Sequence, residues 1–179
     1  MKPRLFGFSI ALIVLILDQL AKWAVTWPLQ LQGVHAMHMM TGWPADRPDI
    51  PIIPIFGLSW VENIGISLGI LNAHTELERW LLVAVTAAIA IGVAIWIGRE
   101  KLRGDQLALG MILGGALGNI LDRARHGYVV DFADLHFGTF RPFLVFNVGD
   151  AAISIGVAIL LLRAFLVRHE KPEESLDHA

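Results

Sequence analysis

Long apolar runs alternate with polar segments along the chain, and four of these runs have the length of membrane-spanning helices. A helix needs about 20 apolar residues to cross the hydrocarbon core of a bilayer. The third run is the shortest, and it can span only if Asp122 or its neighbours lie at the interface or in a protein cavity. The four predicted spans cover residues 5–25, 78–98, 105–122 and 142–165.

The segment between the first two runs, residues 28–75, is rich in proline and tryptophan. Its prolines argue against one continuous helix, and its tryptophans are typical of a membrane interface. We predict a small platform of extended or β structure with an amphipathic helix, resting on lipid. The polar residues 169–179 predict a disordered tail. The predicted fold class is therefore an all-α membrane protein, with one four-span domain over residues 1–168.

The composition agrees with a membrane protein and excludes several other classes. Of the 179 residues, 55% are hydrophobic and 17% are charged, whereas a soluble domain has about 25% charged residues. The net charge of −2 leaves no basic surface for nucleic acid. The chain has no cysteine, which excludes disulfides, a thiol nucleophile and a cysteine metal site.

The basic residues next to the spans predict the orientation in the membrane. They favour one side, where both termini and the second connection lie, and the positive-inside rule makes that side cytoplasmic. The N-terminus has the basic start of a signal peptide, but Asp18 and Lys22 interrupt its apolar run, so we predict an uncleaved span. The basic residues are Lys2, Arg4, Arg99, Lys101, Arg103, Arg163, Arg168 and Lys171.

A carboxyl group interrupts the fourth run at Asp150. A carboxylate at membrane depth costs at least about 2.5–3.5 kcal/mol. Counted from residue 142, Asp150 lies about eight residues into the span, or roughly 12 Å below the surface. Asp131 lies in the connection that precedes this span, so the two carboxyls can meet. Such a pair shares one proton and suits amide hydrolysis, because one carboxyl activates water while the other protonates the carbonyl.

Other polar residues are predicted to support this pair. Asn147 lies three positions before Asp150 and can orient it. Asp18 and Lys22 share a face of the first span and predict a structural ion pair. Asp122 lies next to Arg123 and is expected to form an ion pair there, with a structural or orienting role rather than a catalytic one. It nevertheless remains the alternative to Asp131 as the partner of Asp150. Glycines at four-residue spacing predict close packing of the third span against a neighbour; they are Gly110, Gly114 and Gly118.

Other chemistries fit the sequence less well. His35 and His38 lack the glutamate of a zinc-protease motif, and Ser67 lacks the glycines of a nucleophile elbow, so we predict neither a metal site nor a serine nucleophile. The Gly149-Asp150 pair lacks the Tyr-Asp partner of presenilin-type peptidases. The alternatives left open are an ion- or proton-coupled transport component, although no internal repeat is visible, and a structural assembly factor.

Five short segments in fixed order carry a resemblance that covers nearly the whole chain. They are LDQLAKW (17–23), ENIGISLGIL (62–71), GGALGNILDR (114–123), GYVVDF (127–132) and FNVGD (146–150). Together they resemble the lipoprotein signal peptidase, or signal peptidase II, family of bacterial intramembrane aspartyl peptidases. Two features depart from the family pattern. Gly149 stands where the family usually has alanine, and the first loop, with its insert MHMMTGWPADRPD, is longer than a minimal version.

The resemblance implies a catalytic dyad of Asp131 and Asp150 that needs no cofactor. The substrates it implies are prolipoproteins whose lipobox cysteine carries diacylglycerol, cleaved just before that cysteine. It further implies the bacterial inner membrane, contact with membrane lipids and an active site near the periplasmic face, and we expect a monomer. The implied substrate-orienting residues are Asn63, Gly65, Asn119, Arg123 and Asn147, with structural support from Asp18, Lys22 and Asp122.

Overall fold

The computed structural model describes residues 3–44, 46–65 and 75–169. Across these ranges, four helices are long and apolar enough to cross a membrane. They accompany a shorter helix and a three-stranded antiparallel sheet, which confirms the predicted fold class. The elements are α1 (Pro3–Thr26), α2 (Leu31–Thr41), β1 (Ile50–Ile53), β2 (Phe56–Asn63), α3 (Glu76–Arg99), α4 (Arg103–His126), β3 (Val129–Leu135) and α5 (Val148–His169).

Helix α4 lies at the centre of the bundle and packs against α1, α3 and α5. A Cβ atom on Gly110 would lie 2.5 Å from the carbonyl oxygen of Gly7, and one on Gly114 would lie 2.5 Å from that of Ala11. Gly118, one turn further along this face, lies against the carboxylate of Asp18. The predicted close approach of the third span to a neighbour is therefore confirmed, and the neighbour is α1.

The sheet lies at one end of the bundle. The chain enters this region from the ends of α1 and α4 and leaves it into the starts of α3 and α5. Its strand order is β1-β2-β3, and α2 packs against β2. An apolar cluster between the sheet, α2 and the end of α1 holds this platform in place. Its buried members are Val25, Leu31, Leu58, Trp60, Val130, Phe132 and Ala133.

Two helix boundaries differ from the predicted ones. Helix α5 begins at Val148 rather than at residue 142, because the preceding segment is extended and the amide of Phe146 donates to the carbonyl of Ala133 at 3.1 Å. Asp150 therefore lies in the first turn of α5 and not eight residues into the span. Helix α4 continues to His126 and ends at Gly127, whose φ is 88°, so Asp122 is inside the helix.

Some predictions concern residues outside the described ranges. They are Ser67, part of the platform predicted over 28–75, and the tail predicted over 169–179 apart from His169, with which α5 ends.

Candidate active site

Two carboxyl groups from separate elements line one cavity at the sheet end of the bundle. Asp131 lies on β3 and Asp150 lies in the first turn of α5. Both line a cavity of about 690 Å³, together with Asn63 of β2. Asp131 is buried, and the strand pairing of β3 with β2 determines which way it faces. The meeting of the two carboxyls therefore depends on how the sheet docks against α5.

Asn147 contacts both carboxyl-bearing residues. Its Nδ2 donates to Oδ1 of Asp131 at 2.6 Å, and its Oδ1 accepts from the amide of Asp150 at 2.9 Å. The amide of Asn147 donates in turn to Oδ2 of Asp150 at 3.3 Å. This reciprocal pair of bonds is a capping box. It starts α5 and orients both carboxyls with one side chain.

Two further asparagines donate to the remaining carboxyl oxygens. Asn119 Nδ2 donates to Oδ1 of Asp150 at 2.8 Å, and Asn63 Nδ2 donates to Oδ2 of Asp131 at 2.9 Å. Asn63 Oδ1 accepts from the amide of Gly65 at 3.1 Å, so its amide group is held at both ends. Each of the four carboxyl oxygens thus has a hydrogen-bond donor.

A buried lysine supports this network from α1. Lys22 Nζ lies 2.8 Å from Asp18 Oδ2 and 2.8 Å from Asp122 Oδ2, so the predicted ion pair of Asp18 and Lys22 is present. Lys22 also donates to Oδ1 of Asn119 at 3.1 Å. Because Asn119 is a hydrogen-bond donor to Asp150, this bond connects Lys22 and its two carboxylates to Asp150. A second link runs from the amide of Gly149 to Oδ1 of Asp18 at 2.8 Å.

The expected pairing of Asp122 with Arg123 is wrong. Neighbouring residues of a helix point about 100° apart. Asp122 therefore faces α1, where it binds Lys22 and accepts from the amide of Val130 at 3.2 Å. Arg123 faces the other way, and its Nη2 donates to the carbonyl of Gly65 at 2.5 Å. Asp122 does not line the cavity of Asp150, whereas Asp131 does.

Asp150 also lines a smaller cavity. Its volume is about 180 Å³, and Asn119 and Arg123 line it together with Asp150. Arg123 is buried, and its Nε has no hydrogen-bond partner among the described residues. Buried donors are nearly always satisfied in folded proteins. Among the described residues, this Nε is therefore a buried donor without an acceptor.

Burial raises the pKa of Asp131 to about 7, and the nearby charge of Asp150 adds to the increase. The hydrogen bonds from Asn63 and Asn147 act in the opposite direction but do not cancel it. Asp131 can therefore carry a proton near neutral pH. A carboxyl pair that holds one proton contains both an acid and a base, which is the requirement for general acid–base chemistry.

The two histidines considered as metal ligands have another partner. His35 Nδ1 and His38 Nδ1 lie 2.9 Å and 3.3 Å from the carboxylate of Asp49. Asp49 also accepts from the amide of Trp60 at 2.9 Å, so the three side chains fasten α2 to the sheet. Within the described ranges, no three His, Asp or Glu side chains are grouped to hold a metal ion.

Sequence reasoning missed Gln19 and the pair of Asp134 with Arg141. Gln19 Nε2 donates to Oδ1 of Asp122 at 2.9 Å, and its position inside an apolar run was a usable signal. Arg141 lines the larger cavity, and its Nε donates to Oδ1 of Asp134 at 2.9 Å. Asp134 follows Asp131 by three residues in a strand, so the two face opposite sides of the sheet.

Comparison with known proteins gives concordant matches. The family model described as signal peptidase (SPase) II matches residues 10–166. A protein of Rhizorhabdus wittichii named lipoprotein signal peptidase is 54% identical over 175 residues, covering 97% of this chain and 94% of the relative. One of Sphingopyxis alaskensis with the same name is 50% identical over 162 residues, covering 90% and 86%. A solved bacterial membrane enzyme has the same fold, with a TM-score of 0.72 at 24% identity, covering 96% of this chain and 94% of that one.

Proposed function

Since the chain belongs to the signal peptidase II family, we propose that it removes the signal peptides of prolipoproteins with Asp131 and Asp150 as its catalytic pair. The observation that carries this assignment is the single cavity lined by both carboxyls, with Asn147 bonded to each. The protein is a multi-pass membrane peptidase, and the aspartic type of its chemistry is the proposed part.

The proposed reaction starts from a pair that holds one proton. We assign that proton to Asp131, whose pKa is raised to about 7 by burial and by the charge of Asp150. Asp150 takes a proton from water, the water oxygen bonds to the scissile carbonyl carbon, and Asp131 protonates the carbonyl oxygen. The resulting gem-diol collapses as Asp150 returns its proton to the leaving amine, while Asp131 recovers a proton from a hydroxyl group. The C–N bond breaks and no metal is required.

The two cavities fit the two chemical parts of the proposed substrate. Phe143, Leu144 and Ile155 form an apolar wall in the larger cavity, which suits the acyl chains of a diacylglyceryl cysteine. Arg123 and Asn119 line the smaller cavity, and the Nε of Arg123, which has no acceptor among the described residues, suits a peptide carbonyl. We therefore propose that Asn63, Gly65, Asn119, Arg123 and Asn147 orient substrate and dyad. The large exposed apolar faces of the helices, by contrast, suit membrane lipids.

We further propose the bacterial inner membrane as the location, with the sheet on the periplasmic side and both termini in the cytoplasm. The basic residues Arg99, Lys101 and Arg103 lie at the end of the bundle opposite the sheet, which supports this orientation. A monomer suffices for the proposed chemistry, because both carboxyls and all their amide donors belong to one chain.

The test uses purified protein and a diacylglyceryl-modified prolipoprotein. We expect Asp131→Asn and Asp150→Asn to lower kcat at least about a hundredfold while the proteins stay folded, because general acid–base groups contribute on this scale. Asp122→Asn is expected to lower the melting temperature instead, because it leaves Lys22 with one carboxylate fewer. Asp105→Asn removes the ion pair with Arg163 at the opposite end of α4, so it is the control for loss of an ion pair far from the cavities. Cleavage by Asp150→Asn at the wild-type rate would refute the aspartyl mechanism.

A further inference from the structure

The two cavities that Asp150 lines belong to one site. A second cavity, which shares no lining residue with them, lies beside the turn between β1 and β2. Its volume is about 580 Å³. Trp43, Arg47 and Ile53 line it, together with His136 and Thr139. Much of this wall comes from the loop between α2 and β1, which lies between two of the segments that carry the family resemblance.

One arginine separates this cavity from the cavity of the dyad. Arg141 lines the dyad cavity, and its guanidinium is held by Asp134 through bonds of 2.9 Å and 3.0 Å. Its Nη2 also donates to the main-chain carbonyl of Asp46 at 3.1 Å, and Asp46 lines the second cavity. The two cavities are thus neighbours, connected by the contact between Arg141 and Asp46.

The length of strand β3 gives the approximate distance between Asp131 and the second cavity. Asp131 lies on this strand, and the chain continues extended to His136, whose amide donates to the carbonyl of Ile55 at 3.0 Å. Five residues at about 3.3 Å each correspond to roughly 16 Å. An extended substrate therefore reaches the second cavity about five residues from the bond that is cleaved.

The charges around the second cavity favour an acidic side chain. The side chain of Arg47 is exposed, and no described residue forms an ion pair or hydrogen bond with its guanidinium. Asp46 also lines this cavity, and its charge acts on Arg141, whose main partner is Asp134. The ring of His136 lies 3.3 Å from the carbonyl of Asp134. Two apolar side chains, Ile52 and Ile53, also line the cavity.

We propose that the second cavity binds the segment of the prolipoprotein that follows the lipidated cysteine, and that Arg47 pairs with an acidic residue about five positions after the cleaved bond. The inference rests on the proposed function. The apolar signal segment stays with the spans in the membrane, so the chain on the other side of the cleaved bond is the part that leaves along the sheet. Arg47 is then a residue that sets substrate preference and takes no part in the chemistry.

The test compares lipidated substrates that differ at one position after the cysteine. One series carries glutamate at the second, fifth or eighth position, and the matching series carries lysine there. We expect wild type to favour glutamate over lysine near the fifth position by about two- to fivefold in kcat/KM, through KM, as an exposed ion pair allows. Arg47→Glu should reverse that preference. Lys101→Glu, an exposed charge reversal at the opposite end of the bundle, should leave it unchanged.

Two results would overturn the inference. One is equal cleavage of the glutamate and lysine substrates at every position. The other is an Arg47→Glu variant that slows all substrates equally, which would indicate that Arg47 serves membrane binding or stability. If wild type cleaves none of the lipidated substrates, the proposed function itself fails and the inference falls with it. If wild type cleaves all of them without charge preference and Asp150→Asn is inactive, only the inference fails.

Discussion

Asn147 determines more of the candidate site's geometry than either carboxyl does. Its Nδ2 binds Asp131, its Oδ1 binds the amide of Asp150, and its own amide binds the carboxylate of Asp150. A side-chain amide has a donor end and an acceptor end. It can therefore bridge an acceptor on β3 and a donor on α5 at the same time, which a second carboxylate in that place could not do.

The protonation of Asp131 predicts a pH dependence of cleavage. Its pKa is raised to about 7, mainly by burial, so a higher pH leaves two negative carboxyls and no acid for the carbonyl oxygen. We expect kcat/KM to fall as the pH rises above about 7, by about tenfold per pH unit. The test is to measure kcat/KM from neutral to alkaline pH with a lipidated substrate that has no charged residue in the segment after the cysteine. A rate that stays level well above neutral pH would contradict the assignment of the proton to Asp131.

The same titration has a consequence for stability. The folded pKa of Asp131 lies above its ordinary value, so the folded protein binds this proton more tightly than the unfolded chain does. The free energy of unfolding therefore decreases as the pH rises from the ordinary carboxyl range through about 7. The dyad thus lowers the free energy of unfolding at the near-neutral pH at which the proposed activity requires the shared proton.

Among the elements, the glycine face of α4 determines how closely the helices approach. A Cβ atom on Gly114 would lie 2.5 Å from the carbonyl oxygen of Ala11 and 2.7 Å from the Cβ of Val14. On the neighbouring face, a Cβ on Gly115 would meet the carbonyl of Gly149 on α5. The hydrogen bonds from Lys22 of α1 to its partners on α4 require this close approach.

Replacement of Gly114 by alanine is therefore predicted to destabilise the protein. Overpacking of this kind costs about 1–3 kcal/mol, because backbone must move. Gly92→Ala on α3 is the matched control, since its Cβ would meet nothing within 4 Å and alanine favours a helix. Thermal unfolding in detergent compares the two. A Gly114→Ala variant that melts at or above the temperature of wild type would show that α1 and α4 do not pack as described.

At the scale of the whole molecule, the sheet and both carboxyls lie at one end of the four-helix bundle. The link between α3 and α4 lies at the other end, beside the start of α1 and the end of α5. A substrate that spans the membrane would thus meet the dyad near one surface, next to water that can act as the nucleophile. The opposite end carries basic residues and none of the candidate site.

The orientation can be tested with single cysteines, because the natural chain has none. Thr139 is exposed at the sheet end, and Lys101 is exposed in the link at the opposite end. We expect an impermeant maleimide to label Thr139→Cys in spheroplasts and to label Lys101→Cys only after the membrane is broken. The cysteine-free wild type is the control for background labelling. The reverse pattern would place the sheet in the cytoplasm and contradict the proposed orientation.

The sequence by itself determined the four spans, the platform and the pairing of Asp18 with Lys22. Each depends on residues close together in the chain, because apolar length and the period of a helix are local properties. The start of α5 was misjudged, since residues 142–146 are apolar but Phe146 pairs with Ala133 of β3, and the helix begins only after Asn147.

Only the tertiary structure decided which carboxyl shares a cavity with Asp150. Asp122 and Asp131 lie nine residues apart, and either was a reasonable partner from the sequence. Lys22 binds Asp122 from α1, while the pairing of β3 with β2 and the side chain of Asn147 bring Asp131 to Asp150. These contacts join residues far apart in the chain, and local patterns of polarity carry no information about which distant groups will meet.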